Sequence, residues 1–284
     1  MRIAVLGAAG QLGRDLCSRL PAEVVPLTRA DADLSRPADL RRLLDAVRPV
    51  VVVNCAAYNF VDRAESEPEA AFAVNTWAVR ELALVCRDQG SLLVHFSTDH
   101  VFSLDGSRRH PWREEDAPGP ISVYGLSKLS GEYLVRGLCP RHLVIRTCGL
   151  YGQRGGGGKG GNFVLTMLRL AEQGKPLRVV ADQVCTPTAT ADLADAVTSL
   201  ITSGAAGLFH LTNAGACSWY EFARAIFQTA GVKADVTPIT TAEFGAAARR
   251  PAYSVLDNNK AMSPLRPWQE ALAIYLRQKK SAAA

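Results

Sequence analysis

The sequence predicts an α/β protein with a parallel sheet covered by helices on both faces. Short β-branched runs without polar alternation, RIAVL, VVVVN and LLVHF, read as strands buried on both sides. Stretches with apolar residues at helical spacing separate them. A glycine-spaced turn joins the first strand to the first helix. Strand and helix in strict alternation imply parallel strands joined by right-handed crossovers.

Taken in order, residues 2–7 (RIAVLG) are the first strand. Residues 11–20 place Leu12, Leu16 and Leu20 on one helical face. VVPLT (24–28) is a strand, and Asp39 to Val47 a helix stopped by Pro49. Residues 50–54 form a strand, and Glu69 to Gln89 one long helix closed by Gly90. SLLVHFS (91–97), a helix from Tyr124 to Val135 and HLVIRT (142–147) follow. Beyond residue 150 the texture changes. GGGGKGG (155–161) lacks the GK[ST] of a phosphate loop and reads as a lid or linker. Helices are expected over 162–173, 191–201 and 219–230, with strands at 177–180 and 207–212. The last 50 residues read as short elements ending in a polar, alanine-rich tail.

The chain has 284 residues, 48% of them hydrophobic, which is enough for one large α/β domain or a domain with a smaller lobe. The net charge of +5 is spread thinly. It suits an anionic small molecule better than a nucleic-acid duplex, so no nucleic-acid partner is expected. The densest basic run, Arg108-Arg109-His110, is followed by Glu114, Glu115 and Asp116 and reads as a solvated loop. Seven cysteines without a CxxC pair read as buried thiols of a reducing compartment. No apolar run approaches the ~18 residues of a membrane span. The N-terminus enters a strand directly, so a cytoplasmic protein without a membrane partner is expected.

Four motifs carry chemistry. Gly7-Ala-Ala-Gly10-Gln-Leu-Gly13 lies between strand and helix. Gly7 permits the tight exit, Gly10 a close approach to pyrophosphate, and Gly13 helix–sheet packing. The helix N-terminus then offers free N–H groups to phosphate. At the end of the next strand, about 20 residues past the glycines, stand Thr28 and Arg29. A guanidinium there suits the 2′-phosphate of NADPH. Asp31 and Asp33 nearby keep NADH open, and Arg29 alternatively points into water. Tyr124-Gly-Leu-Ser-Lys128 puts a phenol and an ammonium on one helical face. The ammonium would lower the tyrosine pKa, and the phenol would protonate an oxygen as hydride reaches its carbon. Ser97-Thr98-Asp99 ends a strand at the edge where parallel sheets bind ligands. There a hydroxyl either holds a substrate carbonyl or caps the strand.

Together these residues resemble the extended short-chain dehydrogenase/reductases and, within them, the dTDP-4-dehydrorhamnose reductase family. The matching stretches include GAAGQLG (7–13), VVNCAAY (52–58), VDRAESEPEAAFAVN (61–75), FSTDHVF (96–102), VYGLSKLSGE (123–132), DQVCTPTATADLADA (182–196) and RRPAYSVLDNNK (249–260). The resemblance implies a Rossmann-type doubly wound parallel sheet with a smaller C-terminal substrate-binding lobe. The Rossmann domain would be 1–150 with a return segment near 190–213, and the lobe 151–189 with 214–284. It implies hydride transfer from NADPH or NADH to C4 of a dTDP-4-keto-6-deoxyhexose. Tyr124 would be the general acid, Lys128 would bind the nicotinamide ribose, and Thr98 would hold the keto oxygen. Asp99 would lie near the sugar and Val61 at the pocket edge. Gly10, Gln11 and Leu12 would meet the pyrophosphate, Asp33 and Leu34 the adenine, and Ala56, Ala57 and Tyr58 would run under the cofactor. A homodimer is common among such proteins, and no metal set is carried over.

Some positions depart from the family. Gly149 replaces a tryptophan of the sugar pocket, which would open it. His100 replaces a tyrosine and is a candidate for substrate contact. The loop from Ser103 to Pro120 also differs. A related deoxysugar or a secondary-metabolite sugar would fit such a pocket. A cofactor-binding regulatory subunit is the other reading, against which stands the intact Thr98–Tyr124–Lys128 set. His100 rather than glutamate after Asp99 argues against dehydration. His95 and His210 read as core histidines, and His110 and His142 as surface or strand-edge residues. Arg249 and Arg250 would meet a diphosphate or water.

Overall fold

A computed structural model describes residues 2–153, 161–261 and 263–283. The glycine-rich stretch at 155–160 lies outside the described residues. The elements run β1 (Arg2–Leu6), α1 (Gln11–Arg19), β2 (Glu23–Leu27), α2 (Pro37–Val47), β3 (Val51–Asn54), α3 (Val61–Ala64) and α4 (Pro68–Phe72). A π-helical turn (Ala73–Trp77), α5 (Ala78–Gln89), β4 (Leu92–Thr98), α6 (Val123–Leu138) and β5 (His142–Thr147) follow. Next come β6 (Leu150–Tyr151), α7 (Phe163–Glu172), β7 (Leu177–Val180), β8 (Val184–Cys185), β9 (Thr188–Ala189), α8 (Thr190–Ser203) and β10 (Gly207–His210). The chain ends with β11 (Cys217–Ser218), α9 (Trp219–Ala230), β12 (Val236–Ile239), α10 (Thr241–Phe244) and α11 (Trp268–Ala283).

Six strands form one parallel sheet in the order β10-β5-β4-β3-β1-β2. Side chains alternate across a strand, so each apolar run feeds two cores. Ile3, Val5, Val53, Val94 and Ile145 pack against α1 and α8. Ala4, Leu6, Val52, Leu93 and Val144 pack against α2, α5 and α6. This is the physical reason the strands carry no polar alternation. The order of connection reverses between β1 and β3, whose ends pair Leu6 with Asn54. Open parallel sheets bind ligands at such a switch point.

A third core joins Tyr151, Val164, Leu177, Val179, Phe222, Ile226, Trp268, Leu272 and Tyr275 from α7, α9, α11 and the short strands between them. Phe222 stacks on Phe163 at 5.6 Å and meets Trp268 edge-on. The expected polar tail is instead the long helix α11. Its Trp268, Leu272, Tyr275 and Leu276 line one buried face, and Lys280 reaches back to the Ala230 carbonyl at the end of α9. The long helix expected over 69–89 is also interrupted, by the π turn, and Gly90 closes it at φ +68°. The short helix α3 has no counterpart in the sequence reading.

His210 sits at the sheet edge, buried, with Nδ1 on the Trp112 carbonyl at 3.1 Å and Nε2 turned to Arg146 at 3.5 Å. Burial and that guanidinium pull its pKa from 6.5 to about 3. The unfolded chain therefore takes a proton between these values that the folded chain refuses. Stability is full above pH 6.5 and falls as pH drops toward 3, by about 1.4 kcal/mol per unit. Urea midpoints at mildly acidic and neutral pH would show the loss, and His210→Gln is expected to flatten it. An unchanged slope in that variant would assign the acid sensitivity elsewhere.

Candidate functional site

The switch point is built by glycine. Gly7 leaves β1 at φ +73°, and a β-carbon there would lie 2.8 Å from the Ala56 nitrogen. One on Gly13 would lie 2.3 Å from the Gly7 carbonyl. The turn, α1 and the strand end after β3 are therefore in backbone contact. Gly10 caps α1 without a side-chain bond, and no acidic residue stands in the first turn. The first N–H groups of α1 and its positive dipole end thus stay open to an anion. Leu12 is buried in the sheet core, so only its backbone is available at this turn. Gln11 points away: its Oε1 accepts from the Gly152 nitrogen at 2.9 Å and from Asn162 at 2.8 Å.

At the end of β2, the Arg29 side chain is 86% exposed and lies 3.6 Å from Asp33. Asp31 accepts from Thr28 and Asp33 from Ser35, which lowers both carboxyls. Leu34 is buried under them. The exposed guanidinium surrenders little when it leaves Asp33 for another anion.

Ala56, Ala57 and Tyr58 follow β3, and a residue missed in the sequence holds them. Asn75, in the π turn, accepts from the Tyr58 nitrogen at 2.9 Å and donates to its carbonyl at 3.0 Å. It also donates to Ser127 at 3.0 Å, while Thr76 donates to the Ser127 carbonyl at 2.8 Å. The extra residue of a π turn, a feature frequent at functional sites, aims both side chains at the loop and at α6. Asn75→Ala would leave the Tyr58 amide and carbonyl unpaired, at about 1–3 kcal/mol each. A clear drop in Tm with weaker cofactor binding is expected. Unchanged cofactor binding would show that the clamp does not set the loop.

The hydroxyl side of the site is at the end of β4. Thr98 donates to Asp99 Oδ1 at 3.0 Å and accepts from the His100 nitrogen at 3.2 Å, with the Tyr124 hydroxyl close by, which donates to Asn59 Oδ1 at 3.5 Å. Tyr124 and Lys128 are both buried on α6. Val61 and Tyr58 pack beside Tyr124, and His100 meets its ring edge-on at 5.5 Å. Lys128 donates to the Phe96 carbonyl at 2.6 Å. Thr98, Tyr124 and Lys128 are thus brought together at one strand end.

Two expectations need correction, on the Tyr124 phenol and on Gly149. Burial pushes the Tyr124 phenol up, and Asp99 adds to this, so the expected lowering by Lys128 does not hold. Burial instead pulls the Lys128 ammonium down to about 8. The Asp99 carboxylate is occupied: Cys148 and Ser254 donate to Oδ2 at 3.0 and 2.6 Å, and Thr98 to Oδ1. It ties three chain segments together. Gly149 does not open a pocket. It sits at φ +55°, and a β-carbon there would meet Pro187 at 3.2 Å and the Trp219 ring at 3.4 Å.

Of the remaining candidates, Arg250 pairs with Asp62 at 2.6 Å and Arg249 is exposed. His95 is buried against Asn54 and kept uncharged by burial and by Lys128. All seven cysteines are free thiols. No described helix is long and apolar enough to cross a membrane.

A glycine-closed switch point facing a tyrosine and lysine on the helix after β4 is the framework of the short-chain dehydrogenases/reductases. Within that class the chain belongs to the family described as RmlD substrate binding domain, whose model matches residues 1–281. It is 41% identical to the spore coat polysaccharide biosynthesis protein SpsK of Bacillus subtilis, over 99% of each chain. It is 40% identical to the dTDP-4-keto-6-deoxy-D-glucose reductase of Streptomyces niveus, over 95% of each. The crystal structure of the Bacillus anthracis dTDP-4-dehydrorhamnose reductase in complex with NADP superposes with a TM-score of 0.92. It is 37% identical, covering 98% of this chain and 99% of that one.

Proposed function

We propose that the protein is an NADPH-dependent reductase of the 4-keto group of a dTDP-4-keto-6-deoxyhexose, working in deoxysugar biosynthesis. The observation that carries this reading is the meeting of Thr98, Tyr124 and Lys128 at the end of β4. They stand at the same carboxyl edge of the parallel sheet as the open N-terminus of α1, in a chain about as long as the reductases it resembles.

The glycine turn fits a dinucleotide, because its glycines let α1 close on the strand ends and leave the first N–H groups of α1 open to a pyrophosphate. Gly7, Gly10 and Gly13 with the backbone of Gln11 and Leu12 hold the phosphates, and Ala56 to Tyr58 support the nicotinamide half. Arg29 takes the 2′-phosphate, and Asp33 and Leu34 border the adenine. Bound NADPH supplies the hydride. Thr98 hydrogen-bonds the keto oxygen, and Tyr124 gives it a proton as negative charge develops. Lys128 holds the ribose. Val61 and the third core's lobe, 151–189 with 214–284, form the sugar side, and the free thiols suit a reducing cytoplasm.

The test is loss of NADPH absorbance with dTDP-4-keto-6-deoxyglucose and with its 3,5-epimer. Turnover of either establishes the 4-ketoreductase, and the preferred isomer identifies the substrate. Cofactor binding without turnover of either sugar would replace this reading with a binding subunit.

A further inference from the structure

We infer that Arg146 is a positioning residue, which takes both oxygens of Glu132 and so keeps that carboxylate from drawing Lys128 away from the site. The inference rests on the role given to Lys128 under the proposed function.

Glu132 lies one helical turn beyond Lys128, the spacing at which acid and lysine ordinarily pair. Both are buried, so nothing but protein competes for either charge. Yet the Glu132 carboxylate is forked by Arg146 on β5. Nε lies 2.9 Å from Oε1 and 3.2 Å from Oε2, and Nη2 lies 2.7 Å from Oε2. Arg146 is itself held on its other sides. Its guanidinium lies 4.8 Å from the Phe102 ring centroid, and Nη1 faces His210 at 3.5 Å. The fork is planar and rigid, and a lysine could not reproduce it.

With Glu132 engaged, the ammonium of Lys128 turns to the Phe96 carbonyl, on the strand that ends in Thr98. The ionisable groups around it are Tyr124 and Glu132 on α6, His95 on β4 and Arg146 on β5 behind Glu132. His95 stays neutral. Burial brings Lys128 down to about 8, and Glu132 pulls the other way. Freeing Glu132 would strengthen that pull, raise the titration of Lys128 and swing its ammonium along α6.

The experiment is a pH titration of Lys128 by NMR of [13Cε]lysine-labelled protein, its signal assigned by Lys128→Met. Alongside it runs the pH profile of kcat. The variants are Arg146→Gln, Arg146→Lys and the double variant Glu132→Gln/Arg146→Gln. The Lys128 midpoint is expected to rise by about one unit in Arg146→Gln and about half a unit in Arg146→Lys. The alkaline limb of kcat should move with it. In the double variant, which has no carboxylate to free, the midpoint should lie at or below that of the unaltered protein. If Arg146→Gln does not fold, Arg146→Lys and the double variant decide. Equal midpoints in Arg146→Lys and the unaltered protein would overturn the inference, as would a rise that persists in the double variant. The titration needs no turnover, so failure of the keto-sugar assay and failure of this inference are read separately.

Discussion

Tyr124→Phe is expected to lower kcat for keto-sugar reduction by about 10²- to 10⁴-fold, the usual contribution of a positioned proton donor, while NADPH still binds. The ring keeps its packing against Ala64 and Ala71, so the fold should hold. Thr98 keeps Asp99 and the His100 nitrogen as partners, and what the variant gives up is the long 3.5 Å bond to Asn59 Oδ1. The pH profile adds a check. Burial raises the phenol, so Tyr124 stays protonated across the neutral range. Lys128 loses its proton near 8, so activity should be full below that pH and fall as pH rises through it. Phe retaining more than a tenth of the rate would move the proton donor elsewhere, with Thr98 next to be tested.

Gly13→Ala should damage the cofactor side. The new methyl would sit 2.3 Å from the Gly7 carbonyl and 2.9 Å from Ala8 Cα. Both are backbone atoms with nowhere to rotate, so α1 must retreat from the turn. Overpacking of this kind costs about 1–3 kcal/mol. If the strain falls on the phosphate turn, Kd for NADPH rises by about 10- to 100-fold. Gly10 is a useful comparison, because a β-carbon there would stand 3.1 Å from the same carbonyl. Its alanine variant should be milder, and equal effects at both positions would argue against helix retreat as the cause. Titration of cofactor fluorescence measures each.

Much of the sheet was legible because its strands are buried on both faces. RIAVL, VVVVN and LLVHF need no tertiary information to read as strands, and Ile3 and Ala4 feed opposite cores as alternation requires. The glycine turn and the Tyr–Lys spacing were legible for a similar reason, since each is a local pattern. What was hidden depends on partners far along the chain. Asn75 lies within an ordinary helical stretch, and only the π turn aims it at Tyr58 and Ser127. The last 50 residues read as short elements, yet 268–283 is one long helix. It folds because Trp268, Leu272 and Tyr275 find the aromatic cluster around Phe222. Gly149 misled because the loss of one ring says nothing about Pro187 and Trp219 occupying the same place. The bonds of Asp99 were hidden because Cys148 and Ser254, its partners, are 49 and 155 residues away.

The bonds of Gln11 reach beyond the phosphate turn. It accepts from both Gly152 and Asn162, and Asn162 also donates to the Gly152 carbonyl at 2.9 Å. The start of α1, the end of β6 and the cap of α7 are therefore joined through one side chain. A shift of α1 at the phosphate turn is carried by Gln11 to both, so the lobe registers what happens at the cofactor turn while the sheet stays as it is.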